Sequence, residues 1–152
     1  MYGHSETAIV QTEAMGLVEI FHIREWADAI HARRKGREIA SRIGFGLVDQ
    51  TIIAYTISEL ALKLIQFPEK GHMVIRKMER CKGEAGGGPG LEVRIYDHYR
   101  GRERISAEWV RPLVDDMVAA WDPARGNVIQ FRKWLAPWRV DFPVYAAGEE
   151  QG

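Results

Sequence analysis

Two consecutive stretches of apolar residues at helical spacing restrict this chain more than any other feature. In the first, Trp26, Ala29, Ile30, Ile39, Ala40 and Ile43 form one stripe, while Arg24, Asp28, Arg34, Lys35, Arg37 and Arg42 take the other side. Gly44 ends it as a C-cap glycine. The second begins near Asp49, a good N-cap, and sets Ile53, Ile57, Leu60, Ala61 and Leu64 on one face until Pro68 stops it. Helices over about 27–43 and 49–66 with apolar stripes need a common layer against which to bury them.

Strands supply that layer. Val18 to Ile23 is rich in β-branched and aromatic residues and reads as a first strand. His72 to Arg80 and Leu91 to Asp97 read as a hairpin joined by KGEAGGGPG, whose glycines and proline cannot continue a ladder. Leu91, Val93 and Ile95 point one way, with Asp97 continuing that buried side, and Glu92, Arg94 and Tyr96 point the other. Ser106 to Trp121 is expected to form a third helix with Trp109, Leu113, Met117 and Ala120 as its stripe, and Pro112 limits where its regular part begins. Asn127 to Leu135 is a further strand. The order β, α, α, β, β, α, β lacks strict βα alternation. The expected fold class is therefore α+β, a two-layer sandwich with at least four strands and both helices on one face of a mixed or antiparallel sheet.

A length of 152 residues fits one domain. Residues 1–15 are expected to be a flexible N-terminus, 16–136 the domain and 137–152 a polar tail. Hydrophobic residues at 46% and charged residues at 28% describe a folded chain rather than a disordered one. Lys plus Arg and Asp plus Glu both number 21, so no overall field draws the protein to nucleic acid or to an anionic membrane. Cys81 is the only cysteine, which excludes an internal disulfide and a cysteine-based zinc cluster within one chain. The start MYGHSETAIVQTEAMG has no basic region followed by an apolar core, and no run approaches a membrane span; a cytoplasmic location is expected.

The stretch EWADAIHARRKGREIASRIGFGLVDQTIIAYTISELALKLIQF, residues 25–67, resembles the RsbT-type, or switch-kinase, family of anti-sigma regulatory factors, within the histidine-kinase-like (GHKL) ATPase superfamily. The pieces that carry the resemblance are EW at 25–26, AR at 32–33, GR at 36–37, GFGLVDQ at 44–50 and ISELA at 57–61. GNVIQFRKWL at 126–135 is similar to the family's last strand, so the likeness runs over roughly 18–135.

The resemblance implies an ATP site, and this chain departs from it at three points. The family's first box places a general-base Glu on the second helix and, one turn later, an Asn that holds Mg²⁺. Glu59 is present, but the Asn position is Lys63, which offers donors and a positive charge and no metal-coordinating lone pair. Lys63 either touches a phosphate in place of the ion or simply pairs with Glu59 at i,i+4. The second box begins with an Asp that binds the adenine amino group; here it reads Asp97-His98-Tyr99-Arg100-Gly101. Asp97 and Gly101 match, whereas Tyr99 stands where a glycine belongs and a Cβ crowds the base. The third element is a glycine-rich lid, yet the 24 residues between Gly101 and Gly126 contain no glycine. Gly86-Gly87-Gly88-Pro89-Gly90 lies in the hairpin turn, at the wrong place to replace it.

Glu59, Lys63 and Asp97 are expected to approach one cleft. The basic run His31–Arg37 on the first helix reads as a solvated face or as a phosphate contact. The five histidines show no ligand spacing, so no metal site is expected, and there is no G-x-S-x-G motif for a nucleophile. The resemblance implies one of two functions. One is a binding module that recognises a STAS-domain antagonist or phosphatase-regulator protein through solvent-facing Arg34, Arg37 and Gln50, with no cofactor. The other is an active serine/threonine kinase using ATP with Mg²⁺. Neither membrane nor nucleic acid is expected as partner, and a homodimer is compatible with the tryptophan-rich last third.

Overall fold

A computed structural model describes residues 18–66, 71–79, 88–98, 105–124 and 126–135. In chain order the elements are β1 (Val18–His22), α1 (Trp26–Ile43), α2 (Leu47–Ile65), β2 (Gly71–Glu79), β3 (Pro89–Asp97), a 3₁₀ helix (Glu108–Leu113), β4 (Asp116–Asp122) and β5 (Gly126–Trp134). The five strands form one sheet in the order β1-β2-β3-β5-β4. All four pairings are antiparallel. Both helices pack on one face, which makes the two-layer α+β sandwich.

α1 starts where the Asp28 carboxylate accepts from the backbone N–H of Arg24 at 2.9 Å and of Glu25 at 3.1 Å, which satisfies donors that no helical carbonyl reaches. It stops at Gly44, whose φ of 119° is the left-handed cap that glycine adopts without strain. Its stripe is not quite the expected one, because Trp26 is 59% exposed. α2 begins two residues before Asp49, with Gly46 as N-cap. Asp49 therefore lies in the first turn, where a negative charge favours the helix dipole, and it pairs with Lys133 at 3.6 Å.

The interlayer core joins Ile39 and Ala40 of α1 and Ile53, Ile57, Leu60 and Leu64 of α2 to Met73, Ile75, Val93, Ile95, Ile129 and Phe131 of the sheet. Period-two alternation holds along β3: Leu91, Val93, Ile95 and Asp97 are all buried on the helix side. Gly36 lets the helices and sheet close, since a Cβ there would come within 2.2 Å of Ile57 Cδ1.

The region 106–121 is not the expected helix. Residues Glu108–Leu113 form one short 3₁₀ helix that contains Pro112, and Asp116–Asp122 form an edge strand. Two backbone-anchored bonds turn the chain into the sheet: the Asp115 N–H donates to the Arg132 carbonyl at 3.0 Å, and Asp115 Oδ2 accepts from the Trp134 N–H at 2.6 Å. Only Met117 of this strand is buried, so no alternation marked it in the sequence. The stripe Trp109, Leu113, Met117, Ala120 mimicked a helix by coincidence of spacing. The turn D-P-A-R-G that joins β4 to β5 was the better signal, with Asp122 Oδ1 accepting from the Ala124 N–H at 2.9 Å and Gly126 at φ 100°.

Candidate functional site

Tyr55, Glu59 and Lys63 follow one another at four-residue intervals and so share one side of α2. Tyr55 meets Trp109 edge to face, with ring centroids 5.9 Å apart, so that side of α2 borders the segment leading from β3 to β4. Glu59 and Lys63 are half-buried. The i,i+4 pair offered as one alternative for them is not among the ion pairs of the described residues, whose acids are Glu38, Asp49, Glu79, Glu92 and Glu108.

Asp97 is 1% exposed at the end of β3, between Gly71 of β2 and Asn127 of β5. Leu64 of α2 lies directly over Gly71, where a Cβ would come within 2.8 Å of Leu64 Cδ2. The C-terminal half of α2 thus packs on the start of β2, the strand whose Gly71 pairs in register with Asp97. Asn127, also buried, accepts from the Ile105 N–H through Oδ1 at 2.9 Å and ties down the start of the 105–110 segment. Gly126 permits this closure, because a Cβ there would come within 1.8 Å of the Asp97 carbonyl oxygen. The sequence marks Asn127 only as the start of a strand and Trp109 only as part of a helical stripe, so it links neither to this region. Gly101 and Tyr99, from the second box, and the glycines at 86 and 87 lie outside the described residues.

Arg34, Arg37 and Gln50 come together in a second place. With Glu38, Ser41 and Arg42 they line an open groove of about 420 Å³ between the end of α1 and the start of α2. Gln50 is not simply solvent-facing as expected; its Nε2 donates to the Phe45 carbonyl at 2.8 Å and holds the turn between the helices. Arg37 Nη2 donates to Thr51 Oγ1 at 3.3 Å, a bond from helix to helix. Glu38 is shared by Lys35 at 3.5 Å and Arg42 at 3.9 Å, so the groove keeps a surplus of guanidinium charge. Leu47 and Val48, beside it, are 74% and 73% exposed. The groove therefore combines basic walls with an apolar lip, the mix of a protein contact more than of a small-molecule pocket.

Among the described residues no three His, Cys, Asp or Glu side chains cluster as metal ligands, and no helix is long and apolar enough to cross a membrane. No protein-family model matches the chain. The chain is 32% identical over 123 residues to the serine/threonine-protein kinase RsbT of Bacillus subtilis, an alignment that takes in 73% of this chain and 91% of the relative. Identity at that level across nearly the whole relative, on a fold with helices α1 and α2 packed on one face of the sheet, places this chain in the RsbT-type family.

Proposed function

We propose that this chain is an anti-sigma regulatory factor-like signalling protein that binds a STAS-domain antagonist or a phosphatase-regulator protein in the cytoplasm, without efficient use of ATP. The observation that supports this reading is the course of the chain between β3 and β5. Residues 105–122, where a phosphate lid would be built, are spent on a 3₁₀ helix and an edge strand. That segment has no glycine to free its backbone N–H groups for phosphates, and Lys63 replaces the metal-holding Asn. The histidine-kinase-like site is then a scaffold whose nucleotide boxes have decayed, while the helix groove at Arg34, Arg37 and Gln50 serves the partner. A relative named as a serine/threonine kinase keeps a second reading in play: Glu59 as general base in an active kinase that takes ATP with Mg²⁺.

Calorimetry separates the two. No Mg-ATP isotherm in the micromolar range is expected, and Lys63→Asn alone is not expected to create one. A clear micromolar isotherm, with phosphate transfer to a STAS protein that Glu59→Gln abolishes, establishes the kinase. For the partner, capture of a STAS or phosphatase-regulator protein in the absence of nucleotide is expected, and charge reversal of Arg34 and Arg37 slows its association.

A further inference from the structure

The sheet face turned away from the helices carries a second surface of distinct chemistry. Arg76, Glu92 and Arg132 stand in one row across β2, β3 and β5, and Arg94 and Gln130 stand in the next. Glu92 is 2% exposed and accepts from Arg76 Nε at 2.8 Å and Arg132 Nε at 3.1 Å, with Arg94 at 3.6 Å. Arg94 Nε also donates to Gln130 Oε1 at 3.0 Å and its Nη1 to the Tyr96 hydroxyl at 3.0 Å. The carboxylate is thus enclosed while the three guanidiniums remain about a third or more exposed and are held in fixed orientations. On the three central strands this leaves more positive than negative charge facing solvent; the acids of that face, Asp116 and Asp122, lie at the two ends of β4 on the sheet edge.

Beside the arginines runs a ladder of rings. His72 stacks on Tyr96 at 4.6 Å and 15° and on His98 at 5.4 Å and 23°, and His22 of β1 lies 5.9 Å from His72. The planes of His72, Tyr96 and His98 lie within 23° of one another, so these three rings turn faces towards each other, while His22 is tilted 43° to His72. A platform for nucleobases needs open ring faces, and His72, Tyr96 and His98 turn faces towards one another instead. A second copy packed centre to centre about a two-fold axis would set the arginine cluster against itself.

We propose that this open sheet face is a docking surface for an acidic polypeptide segment, whose carboxylates are received by Arg76, Arg94 and Arg132. The surface lies on the opposite layer from the helix groove and stands without it, so the domain holds two partners at once. The groups around His72 are Tyr96 and Arg94 from β3 and the imidazoles of His22 and His98; Val128 and Gln130 stand on the same side of β5 without charge. Protonating the His72 imidazole, which burial and the charges of His98 and His22 hold below its ordinary value, adds positive charge beside the arginines, so docking strengthens as pH falls into the range where His72 takes up its proton, as long as the segment's own carboxylates stay ionised.

Fluorescence anisotropy of the full chain with a short labelled polyglutamate peptide tests this, with polyglutamine and an oligothymidylate of equal length as comparators. Saturable binding of polyglutamate is expected, tighter as pH falls below the ordinary histidine value of 6.5, weakened by salt, and absent for polyglutamine. Arg132→Gln is expected to weaken it several-fold. Gln130→Glu, which keeps the acceptor for Arg94 while adding a negative charge, does the same with the fold intact by thermal melting. Charge reversal at Arg34 and Arg37 leaves it unchanged, so failure here is distinct from failure of the helix groove. Tighter binding of the oligothymidylate overturns the proposal in favour of nucleic acid, and a concentration-dependent dimer that Val118→Arg breaks overturns it in favour of a second copy. Polyglutamate binding lost on reversal of Arg34 and Arg37, or no binding at all, also overturns it.

Discussion

The two faces of the sheet are built from the same strands, yet different forces hold them. Towards the helices, Met73, Ile75, Val93, Ile95, Ile129 and Phe131 are all buried in an apolar layer. Away from them, the intervening residues Arg76, Glu92, Arg94, Gln130 and Arg132 form a wet ionic network. Strand alternation makes both faces from one stretch of sequence, residue by residue. The contrast separates two jobs: the apolar face supplies the free energy of folding, and the ionic face fixes geometry with little net gain, since a paired charge gives back most of what its desolvation costs.

Truncation on either side is the strongest way to break that contrast. Ile57 is fully buried between the helices and the sheet, and Ile57→Ala is expected to cost about 2–5 kcal/mol through lost transfer energy and the cavity left behind. Val118, on β4 and 56% exposed on the other face, is expected to tolerate Val118→Ala within about 0.5 kcal/mol. Urea denaturation of both variants reads the difference. Comparable losses at the two positions would mean that the open face is covered and stabilising.

A smaller effect sharpens the comparison within the polar set. Glu92 is enclosed by three arginines, whereas Glu38 on α1 pairs with Lys35 and Arg42 in full view of solvent. Glu92→Gln is expected to cost about 1–3 kcal/mol, because three partly exposed guanidiniums lose a buried charged acceptor. Glu38→Gln is expected to cost at most about 0.5 kcal/mol. Equal melting temperatures for the two variants would show the Glu92 network to be as loose as a surface pair.

How far the sequence disclosed this molecule depended on burial. α1, α2, β2, β3 and β5 each bury a continuous stripe or alternate row, so their periodicity was readable and their bounds came within a few residues. β4 buries one residue of seven and had no period to read; a chance i,i+4 stripe took its place. Glu59, Lys63 and Asp97 stand out as site candidates only through the family motif that spans them, not from any feature of periodicity or burial. The groove was half legible: Arg34 and Arg37 stood out as charges on a helix, but the Gln50 bond to Phe45 depends on how the turn between helices closes. The Glu92 network and the ring ladder were not legible, because alternation assigns Glu92 to an outer face without saying that three arginines from three strands enclose it.

The smallest expected effect separates the two ends of the open face by pH. Burial, followed by the charges of His98 and His22, holds the His72 imidazole below its ordinary value of 6.5. The unfolded chain therefore takes up this proton first, and the stability that neutral His72 preserves is lost as pH falls from about 6.5 towards its lower folded value. At Glu92, burial pushes the carboxyl up, but the bonds and charges of Arg76, Arg132 and Arg94 outweigh it and hold the group below 4.5. Its contribution is complete above that value and disappears as pH falls through the folded one. Two separate acid-side declines are expected in the melting temperature, a shallow one near the histidine range and a second below the carboxylate range. His72→Phe, which keeps a ring in the ladder, removes the first and leaves the second, while Glu92→Gln does the reverse. Because an acidic segment bound to the open face favours protonated His72, adding polyglutamate flattens the first decline and cannot flatten it in His72→Phe. A first decline unchanged in His72→Phe would place the titrating group elsewhere and detach the ring ladder from the behaviour of this face.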